Sequence, residues 1–81
     1  MKVEYSEAVV EALENAPAAV RNAFFKQVAF LAQSLHHPSL RAKKYDESKD
    51  RWQARVNMGW RFYFRIVDDT YRILKLMPHP K

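Results

Sequence analysis

The stretch "RWQARVNMGWRFYFRI", residues 51–66, places four arginines and five aromatic residues in sixteen positions. At the strand period of two, Arg51, Gln53, Arg55 and Asn57 fall on one face, and Trp52, Ala54, Val56 and Met58 on the other. After Gly59 the scheme repeats, with Arg61, Tyr63 and Arg65 alternating against Trp60, Phe62, Phe64 and Ile66. Two adjacent strands thus offer one apolar and one cationic face. A guanidinium is a planar fork of donors that matches phosphate oxygens, so the chemistry open to this face is the grip and charge neutralisation of a polyanion. A wet sheet face must carry polar residues anyway. Here, however, Lys43, Arg55, Arg61 and Arg65 share it with Tyr63 and almost no acid, and uncompensated like charge on neighbouring strands destabilises a sheet. That cost is readily understood if the face awaits phosphates.

His79, in the closing "LMPHPK", is the second candidate. Histidine is the side chain that ordinarily titrates near neutrality, and prolines on both sides restrict its backbone, which suits a positioned proton donor or acceptor. Lys81 adds a cation nearby. The other polar clusters point to no chemistry. His36 and His37 are adjacent in a helix-ending turn, where their side chains diverge, and neither a cysteine nor an HExxH spacing supports a metal site. Asp46, Glu47 and Asp50 form a solvated charge run. No cofactor is implied.

The elements that must position these groups are legible. Lys2 to Tyr5 read as a short strand, and Ser6 N-caps a helix over about 7–15. A second helix opens at Pro17, with Val20, Phe24, Val28, Leu31 and Leu35 in one apolar stripe, and ends before "HHP" at 36–38. From Leu40 the period becomes two, giving strands at about 40–45, 51–57, 60–67 and 70–77. "DESKD" at 46–50 is a charged loop, "NMG" at 57–59 supplies residues that tolerate positive φ, and Asp68-Asp69 closes a tight hairpin. The expected architecture is α+β: an N-terminal strand and a helical hairpin packed on one face of a twisted antiparallel sheet, in the order β-α-α-β-β-β-β. Phe30 lies away from the helix stripe, which leaves it as a docking point for a partner helix or as packing under the first strand or helix.

At 81 residues the chain reads as one domain, 1–81. No stretch approaches the ~20 consecutive apolar residues of a membrane span, residues 1–13 do not read as a secretory signal, and the absence of cysteine excludes a disulfide framework and a thiolate nucleophile. The cytoplasm is the expected compartment and no membrane partner is indicated. The net charge of +5 is uneven: residues 1–40 hold three Lys/Arg against four Glu, and residues 41–81 hold eleven against five Asp/Glu. The cationic half therefore favours a polyanionic partner. The slightly acidic helical half does not read as a DNA-binding helix-turn-helix, because its connection lacks the usual turn.

The order of strand, helical hairpin, "LRAKKY", "WQARVNMGWRFYFRI" and "DDTYRILKLMPHPK" resembles the RelE/ParE superfamily of bacterial toxins from type II toxin–antitoxin pairs. The run R-x-x-x-G-x-R with an aromatic three residues on, here Arg55, Gly59, Arg61 and Phe64, is its most specific part. The resemblance implies a toxin held inactive by a cognate antitoxin, with Phe30 as the candidate antitoxin contact. RelE-like members cut mRNA in the ribosomal A site; ParE-like members inhibit DNA gyrase. The RelE-like branch implies metal-free attack of a ribose 2′-hydroxyl on the adjacent phosphate. In that reading Arg61 and Arg55 grip the phosphate, His79 moves a proton, and Lys43, Lys44, Gln53, Tyr63, Arg65 and Lys81 bind RNA. Where the best-known branch has two alternating lysines before the glycine, this chain has Trp52 and Ala54. The competing classes are a gyrase inhibitor and a non-enzymatic nucleic-acid-binding module.

Overall fold

Ser6 ties the two layers of the molecule together. Its Oγ accepts the Val9 amide at 3.2 Å, capping the first helix, and donates to the Leu74 carbonyl of the last strand at 2.9 Å. A computed structural model describes residues 1–79. Its elements are β1 (Lys2–Tyr5), α1 (Glu7–Asn15), α2 (Ala18–Gln33), a 3-10 turn (Pro38–Leu40), β2 (Lys43–Asp46), β3 (Arg51–Arg55), β4 (Trp60–Val67) and β5 (Thr70–Pro78). Arg21 of α2 donates to the Leu13 and Ala16 carbonyls at the C-terminal end of α1, which fixes the helical hairpin.

The five strands are ordered β1-β5-β4-β3-β2. Strands β2 to β5 form the expected antiparallel meander, whereas β1 runs parallel to β5, so the sheet is mixed. Hydrophobic period assigns a strand its faces but not its direction against a partner more than sixty residues away. Phe62, Phe64 and Ile73 are fully buried under Val9, Phe24 and Leu31 of the helices, with Phe24 edge-on to Phe62 at 5.5 Å. A bulge sets Leu74 aside between the Phe64–Ile73 and Tyr63–Lys75 pairs; its carbonyl is the one Ser6 takes. No helix among the described residues is long and apolar enough to cross a membrane.

Two local readings are corrected. Residues 40–42 are not strand: Leu40 is buried by a 3-10 turn and Arg41 takes the left-handed conformation at φ 47°, so β2 starts at Lys43. The β3–β4 turn uses no positive φ at Asn57 or Gly59. It closes instead by Asn57 Oδ1 accepting the Gly59 amide at 2.9 Å, while the Val56 and Asn57 amides both reach the Trp60 carbonyl. Positive φ occurs at Arg41, Asp50 and Asp68.

Candidate nucleic-acid interface

Register assembles the wet face row by row. Lys43 pairs with Gln53, Gln53 with Tyr63 and Tyr63 with Lys75, so one row crosses four strands. Toward one end lies the row Arg55, Arg61 and Met77; toward the other, Arg65 faces Arg72, which faces Glu4. Acid enters at this far end, where Arg72 Nε meets Glu4 at 3.2 Å, and at the β2 edge, where Asp46 pairs in register with Arg51. Among the described residues the remaining ion pair is Lys44–Asp50 at 3.0 Å, on the opposite face. Lys43, Lys75, Arg55 and Arg61 of the first two rows have no carboxylate partner among the described residues.

The end of the sheet that holds Arg55 and Arg61 gathers further groups. Arg41 follows the 3-10 turn in a conformation that costs a non-glycine residue about 1–2 kcal/mol. The Arg41 charge beside it, then burial, then the Arg61 charge hold the Arg55 guanidinium below its ordinary pKa. Its Nε is buried with no hydrogen-bond partner among the described residues. Gln27, buried on α2, donates to the Arg55 carbonyl at 2.8 Å and to the Ser39 carbonyl at 2.9 Å, locking the end of β3 to the 3-10 turn. An open cleft of ≈ 610 Å³ results, lined in part by Lys26, Arg41, Arg55 and Asn57. Arg61 donates from Nη1 to the Asn57 carbonyl at 2.8 Å and the Trp60 carbonyl at 3.0 Å. That pins the guanidinium over the hairpin and leaves its other N–H groups free of those bonds. His79 reaches the same end: its amide donates to the Gly59 carbonyl at 2.8 Å. Such an end can hold an anion among fixed guanidinium groups, with an imidazole on the neighbouring strand extension.

The fold thus brings together Arg55, Arg61 and His79, with Lys43, Gln53 and Tyr63 one row away and Arg65 one row further. Lys44 does not join them. It pairs with Trp52 in register, lies 5.7 Å from that indole ring and is bound to Asp50, because alternation sends it to the face opposite Lys43. Lys81 lies outside the described residues. Phe30 is half-buried against the core, its ring stacked on His37 at 3.9 Å; the open aromatic of α2 is Phe25, half exposed beside Val10. Sequence reasoning missed Arg41, Lys26 and Gln27. The basic run at 41–44 signalled the first, and the position of Gln27 inside the helix stripe, between Phe24 and Leu31, signalled the third.

No protein-family model and no curated protein sequence matches the chain. Solved structures do. The YoeB/ParE toxin from Agrobacterium tumefaciens superposes with a TM-score of 0.83 at 12% identity, covering 99% of this chain and 100% of that one. A chain of the archaeal RelE–RelB complex from Pyrococcus horikoshii gives 0.80 at 24% identity, covering 95% and 92%. A chain of the intact RelBE toxin–antitoxin complex of E. coli gives 0.76 at 11%, covering 99% and 98%. The chain has the fold of the RelE/YoeB/ParE toxins over nearly its whole length.

Proposed function

We propose that the chain is the toxin of a type II toxin–antitoxin pair and stops translation by cleaving mRNA on the ribosome. The observation that carries this reading is the convergence of Arg41, Arg55, Arg61 and His79, with no neutralising acid among the described residues, at one end of a sheet whose fold is that of such toxins.

In this scheme the 2′-hydroxyl of a ribose attacks the adjacent phosphorus, the bond to the 5′-oxygen of the next nucleotide breaks, and a cyclic phosphate and a free 5′-hydroxyl result. Arg61 and Arg55 stabilise the extra negative charge of the pentavalent phosphate, and Arg41 reinforces the local field. His79 exchanges the proton that one oxygen loses and the other gains. The preorganised part is Arg61, because the hairpin carbonyls hold its fork in place before any ligand arrives. A cognate antitoxin silences the protein, and both act in the cytoplasm.

Induced expression should arrest translation and leave new 5′-hydroxyl ends inside translated messages. Growth arrest with intact mRNA rejects the reading. Gyrase inhibition has one observation on its side, the commitment of Arg61 Nη1 to the hairpin; it predicts cleaved DNA in a supercoiling assay, where the nuclease leaves DNA intact.

A further inference from the structure

One strand step from the arginine end, the wet face changes from guanidinium groups to aromatic rings. Tyr45 of β2 stands edge-on to Tyr63 of β4, ring centres 5.5 Å apart at 78°, and is 51% exposed. Between and beside them is a separate cleft of ≈ 220 Å³, whose lining includes Lys49, Arg51 and Lys75. Asp46 also lines it, but its carboxylate is turned into its own loop, accepting the Ser48 hydroxyl at 2.7 Å and the Lys49 amide at 3.2 Å. Tyr63 sits two residues from Arg61 on the same strand face, a separation of about 7 Å.

A half-exposed Tyr45 set edge-on to a partly buried Tyr63, with lysine and arginine beside them, is poorly explained as packing. The pair covers no part of the core, which lies across the sheet under the helices. An exposed ring with cations around it is the arrangement that takes a nucleobase: the ring stacks on the base and the cations hold the phosphates on either side. We propose that Tyr45 and Tyr63 form a stacking platform for one base of a single-stranded RNA, next along the strand from the phosphate gripped by Arg55 and Arg61. The inference rests on the reading of that end as an RNA site and extends it to a second position. Arg51 and Lys75 take the flanking phosphate, and because every base has a π face the platform tolerates any base.

The test uses an eight-nucleotide 2′-O-methyl RNA, which cannot be cleaved by 2′-hydroxyl attack, so binding is read apart from chemistry. Tyr45→Ser should weaken binding about tenfold and Tyr45→Phe should leave it unchanged. Tyr45→Leu, which keeps apolar cover over Tyr63 but offers no ring, should behave like Tyr45→Ser. An abasic scan then supplies a readout that packing alone would not move. At one position loss of the base should weaken the wild type as much as Tyr45→Ser does, and should weaken the Tyr45→Leu protein no further. Wild-type affinity in a folded Tyr45→Leu protein, or an abasic scan identical in the two proteins, overturns the platform. Cut messages in cells together with Tyr45-independent binding would remove this inference alone. Uncut messages together with Tyr45-dependent binding would remove the nuclease reading and keep the platform.

Discussion

Arg55 on β3 stands directly across from Arg61 on β4, two like charges in register at the centre of the candidate site. Adjacent cations of this kind lower stability. Arg41 adds to the strain, since its charge is the main reason the Arg55 guanidinium is held below its ordinary pKa. An anion bound between them relieves all three at once.

Arg55→Gln should therefore separate stability from activity. Removing the repulsion should leave the melting temperature equal to the wild type or above it, most visibly at low salt, where screening is weakest. Cleavage should fall roughly 10²-fold, as for removal of one charge-stabilising donor. Melting curves across a salt series check the first claim: a variant that melts well below the wild type at low salt contradicts the repulsion argument.

Arg61→Ala should lose about 10²–10³-fold in cleavage. It also removes two hydrogen bonds that hold the β3–β4 hairpin, so a stability loss of about 1 kcal/mol should accompany it. Arg61→Lys should recover only part of the activity, because it keeps the charge without the planar fork. A folded Arg61→Ala protein that still stops growth would sink the mechanistic assignment. Trp60→Ala is the control that should damage folding, since Trp60 packs against the core.

How much of this was legible in the sequence depended on the kind of signal. Alternation at 51–66 placed Arg55, Arg61 and Tyr63 on one face because a strand admits no other arrangement of side chains. The stripe from Val20 to Leu31 gave α2 its buried side for the same reason. What failed was what depends on register or on single conformations. Lys43 and Lys44 are equivalent by composition, and only the pairing of β2 with β3 decides which one shares the sheet face of Arg55. Arg41 takes a left-handed conformation that arginine does not advertise, and the direction of β1 is set by the layer packing rather than by its four residues.

Gln27→Leu tests the support beneath the site. The substitution keeps the volume in the helix stripe but withdraws donors from the Ser39 and Arg55 carbonyls, and should cost about 1–3 kcal/mol by chemical denaturation. Unchanged stability would mean that water replaces both bonds and that the end of β3 is not held from α2.

Acid should weaken the fold through the β2–β3 loop. The Lys44 ammonium beside Asp50 and the Ser48 hydroxyl on Asp46 hold both carboxyls below the usual carboxylate range. A carboxyl whose folded pKa lies below its unfolded value contributes stability that is full above the unfolded value and is lost as pH falls through the folded one. The stability curve should therefore decline below roughly pH 4, and the Asp46→Asn/Asp50→Asn double variant should decline less steeply. Parallel acid limbs for the two proteins would show that other carboxyls govern the loss.

Two phenylalanines of α2 should respond in opposite ways to the same substitution. Phe30 is half-buried, stacked on His37 and approached by Lys26 Nζ at 5.9 Å, so Phe30→Ser should cost about 1–2 kcal/mol of stability. Phe25 is half exposed, beside a shallow groove lined by Val10, Leu13, Glu14 and Arg21, and Phe25→Ser should change stability by about 0.5 kcal/mol or less. If an antitoxin helix lays its apolar face in that groove, Phe25→Ser should keep the proposed growth arrest while raising the antitoxin level needed to silence the protein. Co-expression at graded antitoxin levels reads this directly. Full neutralisation of Phe25→Ser at the wild-type ratio, with neutralisation lost instead in a folded Phe30→Ser protein, would return the docking point to Phe30.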